Sequence, residues 1–108
     1  MADLNWDRSF ALEQAGEDEE ILAELIDLFK QSSNSDLEKI KAAAGVQDAS
    51  AMGDAAHSIK GAAASLGVES VREVAQAIEK AGRNGDLQNA MQQVPALEDL
   101  LGQLDGMQ

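Results

Sequence analysis

An all-α fold, an antiparallel four-helix bundle with a short additional N-terminal helix, is what this 108-residue sequence predicts. Three observations carry it. Apolar residues recur at the spacing of one helical face through several long stretches. Short breaks, most of them containing glycine, separate those stretches. No run alternates apolar and polar residues as a half-buried strand would. Long amphipathic helices joined by short loops pack as antiparallel neighbours. The length suits a single domain spanning residues 1–108.

The first helix is expected from about Asp7 to Ala15, opened by Asn5 or Asp7 as cap, with Phe10 inward and Trp6 just before it. Gly16 breaks it. Glu17-Asp18-Glu19-Glu20 then sets four acids where a helix N-terminus favours negative charge. The long second helix carries Ile21, Leu22, Leu25, Ile26, Phe29, Leu37 and Ile40 on its inward face. Ser32-Ser33-Asn34-Ser35 is weak in helix propensity, but the apolar phase resumes beyond it, so one helix continues to about Ala44.

Gly45 stops that helix, and Gln47 or Asp48 opens the third, which ends at Gly67 in the usual C-terminal glycine position. Val71, Val74, Ala75 and Ile78 form the inward stripe of the fourth helix. Gly82 and Gly85 bracket the next turn, and Asp86 caps the last helix. Its inward residues are Leu87, Met91, Val94, Leu97, Leu100, Leu101 and Leu104, with Pro95 predicting a kink near Met91 to Val94. The alanine and leucine stripes are bundle core.

The single histidine, His57, lies on the third helix. At about 100° per residue, Ser50, Gly53, Asp54, Lys60, Gly61 and Ala64 fall within roughly 60° of it. Met52, Ala55, Ile59, Ala62, Ala63 and Leu66 fall on the opposite, apolar side. The histidine stripe is therefore polar or small, and the ring is not a core residue. Gly53 and Gly61, one turn to either side, leave it uncrowded. Each such glycine costs a helix about 1 kcal/mol relative to alanine, so close approach by something large is the reading that accounts for them. Imidazole is a nucleophile near neutral pH, and a lysine one turn on would offset the charge of a phosphoryl group placed upon it. The chemistry that fits is phosphoryl transfer.

At these residues the chain resembles a known family. His57-x-x-Lys60-Gly61, preceded by Ala55-Ala56 and followed by Gly67, resembles the motif of histidine-containing phosphotransfer (HPt) domains of two-component phosphorelays. The likeness extends to Leu25-x-x-x-Phe29, to Asp48, to Val71-x-x-Val74-Ala75-x-x-Ile78-Glu79 and to Gly85-Asp86, covering roughly residues 8 to 104. Pro95 departs from the pattern. The resemblance implies a phosphocarrier that takes a phosphoryl group onto His57 from a receiver-domain aspartyl phosphate and passes it to another receiver. It implies that Lys60 offsets phosphoryl charge, that Gly61 and Gly53 give access, and that Ser50, Gly53, Asp54, Ala64 and Ser65 form a docking rim. Asp54 could instead orient the imidazole or make it more basic; the sequence leaves its role open.

No cofactor and no metal site are expected. There are no cysteines, one histidine cannot build a histidine-rich site, and no phosphate-binding glycine loop is present, so ATP has no place to bind. The Mg²⁺ needed for transfer would come with the receiver. With 8 basic residues against 20 acidic ones, the net charge of −12 disfavours nucleic acid and anionic membranes as partners. No apolar run has the length of a membrane span, and the N-terminus lacks signal-peptide character, so a cytoplasmic monomer is expected. The initiator methionine and the absence of a linker favour a free-standing protein over an excised domain. A silent receiver-binding adaptor and an acyl carrier are the alternatives. The second needs a serine at a helix start, and Ser35-Asp36-Leu37 has the wrong order in mid-helix.

Overall fold

The computed structural model describes residues 4–107. It contains α1 (Arg8–Gln14), α2 (Glu19–Gly45), α3 (Ala49–Leu66), α4 (Glu69–Arg83) and α5 (Leu87–Gly102), followed by a 3₁₀ turn at Leu104–Gly106. Helix α2 packs on α3, α3 on α4, α4 on α5, and α5 returns to α2, closing a four-helix bundle. Helix α1 packs across α2 and α3.

The helix starts follow capping chemistry. Asp7, Asp18, Asp48 and Asp86 each accept hydrogen bonds from backbone N–H groups of the first turn of α1, α2, α3 and α5. Of the paired alternatives, Asp7 and Asp48 are the caps. Helix α2 runs unbroken through Ser32–Ser35, and α5 runs on through Pro95. Gly67 closes α3 in the left-handed conformation, φ +71°, where a side chain would also strike Phe10 and Asp7.

The N-terminal segment is tied to that corner. Trp6 forms an isolated antiparallel bridge with Val68, and its indole N–H donates to the carbonyl of Leu66 at 2.9 Å. Asp7 N–H donates to Gly67 O at 3.0 Å, and the Ser70 hydroxyl donates to the carbonyl of Leu4.

The core draws on every helix of the bundle. Leu22, Ile40, Met52, Ile59, Ile78, Leu97 and Leu100 are fully buried, each contributing about 1.5–3 kcal/mol of apolar burial. Several residues expected inward are not. Phe10, Ile21 and Met91 are exposed, because they lie on the solvent edge of stripes whose centres are taken by Ala11, Leu22 and Ala90.

Gly82 and Gly85 bracket the turn as expected: the Gly85 N–H donates to the Gly82 carbonyl at 3.1 Å, with Gly85 at φ +72°, while Gly82 is itself buried in the last turn of α4. A Cβ on Gly82 would fall 2.5 Å from the carbonyl oxygen of Ala49 and 2.8 Å from the nitrogen of Gly53. Ala49, Gly53 and Ala56 form a small-residue stripe on α3 at helical spacing, and α4 lies directly on it. With no side chains intervening, the two backbones approach more closely than larger residues would allow.

Candidate functional site

Close packing of α3 on α4 brings together side chains far apart in sequence. His57 lies one turn beyond Gly53 on α3, and Glu79 lies nearly one turn before Gly82 on α4. Because the glycines touch, the Glu79 carboxylate reaches the imidazole: Nδ1 of His57 is 2.7 Å from Oε2 of Glu79. The histidine side chain remains 60% exposed, while that of Glu79 is 11% exposed.

Glu79 is the hub of the site. Its Oε1 is 2.6 Å from Nζ of Lys60, and its Oε2 also accepts from Nε of Arg83 at 3.3 Å. Arg83 in turn reaches Asp54, Nη1 to Oδ1, at 3.4 Å. The Lys60 ammonium, more than any other group, holds the Glu79 carboxyl below the usual carboxylate value. Burial opposes this, and hydrogen bonds from His57 and Arg83 reinforce it. Glu79 is thus ionised at neutral pH and can only accept. Nδ1 must carry the ring proton that points at it, which leaves the lone pair on Nε2.

The residues expected at the site are only partly where the helical wheel put them. His57, Ser50, Asp54, Gly61, Ala64 and Ser65 are exposed, and nothing lies within 4 Å of a Cβ built on Gly61. Gly61 therefore borders open space beside the ring. Gly53 is a correction. It is buried, and a Cβ there would meet Glu79 O at 3.3 Å and Arg83 N at 3.4 Å, so it makes room for α4 and not for a partner. Asp54 pairs with Arg83, and the carboxylate that meets the imidazole is Glu79. Lys60 is on the histidine face as expected, but its ammonium is bound to Glu79.

Sequence reasoning gave Glu79 no role and missed Arg83 altogether. One signal for Glu79 was available: with Val71, Ala75, Ile78 and Gly82 it occupies the inward stripe of α4, where an acid needs a partner. The i,i+4 spacing of Glu79 and Arg83 was another.

A groove between α2 and α3 is lined by Leu25, Leu28, Phe29 and Ser32 of α2, by Ala62, Ser65 and Leu66 of α3, and by Gln14 of α1. Leu28 is 60% exposed at its edge. Among the described residues, no group of three or more His, Cys, Asp or Glu side chains is placed to hold a metal ion. None of the described helices is long and apolar enough to cross a membrane.

Comparison with known proteins adds three findings. The family model of the Hpt domain matches residues 24–107. The fold is similar to the crystal structure of histidine-containing phosphotransfer protein B (HptB) from Pseudomonas aeruginosa PAO1, with a TM-score of 0.86 and 24% identity over 95% of this chain and 90% of that one. It is also similar to the HPT domain of an Hpt sensor hybrid histidine kinase from Shewanella, with a TM-score of 0.66 and 22% identity over 98% of each chain. No curated relative matches the chain.

Proposed function

The chain belongs to the Hpt domain family and serves histidine phosphotransfer in phosphorelays, and on that premise we propose that His57 is the residue that carries the phosphoryl group, with Nε2 as its nucleophile. The observation that carries this reading is the 2.7 Å contact between Glu79 and Nδ1 of the sole histidine. A carboxylate on one ring nitrogen fixes the tautomer and leaves the other nitrogen able to attack.

The step balances within those groups. The Nε2 lone pair attacks the phosphorus of a receiver's aspartyl phosphate, and the phosphorus–oxygen bond breaks with its electron pair leaving on the aspartate carboxylate. The proton on Nδ1 stays in place. The ring gains positive charge as the nitrogen–phosphorus bond forms, and the ionised Glu79 offsets it, as the carboxylate does for the imidazole of a catalytic triad. Lys60, one turn from His57 on a flexible stem, meets the negative charge of the arriving phosphoryl oxygens. Passing the group to another receiver reverses these events. The protein is a transfer intermediate and not an enzyme of the usual kind; the absence of an ATP site is part of the proposal.

Receiver domains are the partners of this family. For this chain the proposed docking surface is the exposed His57 face together with the α2–α3 groove, so that Leu25, Leu28 and Ser32 join Asp54, Gly61, Ala64 and Ser65. An exposed apolar groove is the kind of surface expected of a protein interface. Gly61 lets the receiver's loops close over the ring. The reading takes residues 1–108 as a single domain, acting as a monomer in the cytoplasm.

The test is phosphoryl transfer from a phosphorylated receiver to the parent and to His57→Gln. The parent should become labelled through a bond that is labile in acid and stable in base, and the folded variant should take up nothing. Label retained by His57→Gln would overturn the assignment.

A further inference from the structure

Lys60 is asked to do two things. At rest its ammonium neutralises the Oε1 side of Glu79 at 2.6 Å. During transfer it is needed by a phosphoryl group that brings three oxygens and nearly two negative charges to the same helix face. A lysine can turn between them, because its charge sits on a flexible stem. The Glu79 carboxylate cannot turn with it. Its side chain is only 11% exposed, so water does not replace the lost partner in full, and an uncompensated buried charge is costly.

Arg83 stands where that vacancy would arise. Its Nε donates to Oε2 of Glu79, the same oxygen that faces Nδ1 of His57, and its Nη1 reaches Asp54 at 3.4 Å. The guanidinium is thereby tied to carboxylates on both α3 and α4. Its rigid planar fork, unlike the lysine stem, cannot follow the phosphoryl group without giving up both.

We propose that Arg83 is a positioning residue for transfer, holding the Glu79 carboxylate on Nδ1 of His57 while Lys60 exchanges from Glu79 to the phosphoryl group. The inference rests on the reading of His57 as the carrier. Two cations share the carboxylate at rest, and only the arginine keeps it during transfer. Arg83 is therefore silent in the resting protein and matters once Lys60 is drawn away.

That state dependence is the test. The ring nitrogens of His57 are followed by ¹⁵N NMR in the parent, Arg83→Gln, Lys60→Ala and the double variant, and phosphoryl uptake is measured with phosphoramidate, which needs no docking surface. Either cation alone should keep Glu79 on Nδ1, so both single variants should retain the Nδ1–H tautomer and the double variant should lose it. Uptake by Arg83→Gln should fall by about tenfold, a coupling ordinary for residues of one ion-pair network, and Arg83→Lys, which keeps the charge without the rigid fork, should recover only part of it. Circular dichroism establishes which variants fold; should the double variant not fold, the uptake of Arg83→Gln against Arg83→Lys decides alone. Loss of the tautomer in Arg83→Gln by itself would make the arginine a prop of the resting site and overturn the proposal. So would parental uptake by Arg83→Gln. If the parent acquires no label on His57, the carrier assignment fails instead, and the ring spectra separate that failure from this one.

Discussion

Gly82 of α4 lies so close to Gly53 of α3 that a methyl group on Gly82 would sit 2.8 Å from the Gly53 nitrogen. This contact sets the distance between the two helices, and with it the reach of Glu79 to the imidazole. It links a packing feature to the chemistry of the site, since anything that parts the helices withdraws the carboxylate.

Gly82→Ala should therefore damage both stability and transfer. The backbone atoms of Ala49 and Gly53 that the methyl would meet cannot swing aside, so α3 and α4 must separate, at the overpacking cost of about 1–3 kcal/mol. Urea denaturation should show that loss, and phosphoryl uptake should fall even from a small donor. A variant as stable and as active as the parent would show that the crossing does not control the site.

Glu79 makes the domain's stability depend on pH in a stated direction. Its folded-state value is lowered from the ordinary 4.5, chiefly by the hydrogen bond from Lys60. A carboxyl that is more acidic folded than unfolded stabilises the fold above its unfolded value, and that contribution disappears as pH falls through the folded value. Denaturation midpoints of the parent should drop more steeply below about pH 4.5 than those of Glu79→Gln, which has lost the titrating group. Parallel acid limbs for the two proteins would remove Glu79 from the account of stability.

Much of this was legible in the sequence, and the failures have a common cause. The four long helices, the aspartate caps of α3 and α5 and the exposed His57 follow from periodicity and capping chemistry, which are local properties. Lys60 and Gly61 were found because they share one helix with His57. Glu79 and Arg83 belong to another helix, and only the crossing of α3 with α4 brings them to the ring. The wheel gave Gly53 the correct direction, but it cannot distinguish solvent from a neighbouring helix. Gly82 and Gly85 are legible as the ends of the turn between α4 and α5, but the close packing of Gly82 on α3 is not, because it depends on that same crossing.

The α2–α3 groove predicts a separation of docking from chemistry. Leu28 is 60% exposed, so Leu28→Glu should leave stability within about 0.5 kcal/mol of the parent. Transfer from a receiver should slow markedly, while uptake from phosphoramidate should not change. Equal rates from the receiver would place docking elsewhere on the surface.

Gly61 tests access at the ring itself. With open space where a side chain would stand, Gly61→Gln should stabilise the helix by up to about 1 kcal/mol, since glutamine is the better helix former. The same side chain should obstruct a receiver's loops, so uptake from the receiver falls and uptake from phosphoramidate stays near parental. A strongly lowered melting temperature would reveal close packing at this position.

The central claim is that Glu79 leaves Nε2 of His57 as the nitrogen that bears phosphorus, and one spectrum addresses it. Protein enriched in ¹⁵N at the histidine ring is phosphorylated, and phosphorus–nitrogen couplings are recorded by heteronuclear NMR. The phosphorus should couple to Nε2 as its bonded nitrogen, with Nδ1 still protonated and sensitive to Glu79→Gln. A phosphorus bonded to Nδ1, or a phosphorylated protein with no coupling to the ring, would contradict the account.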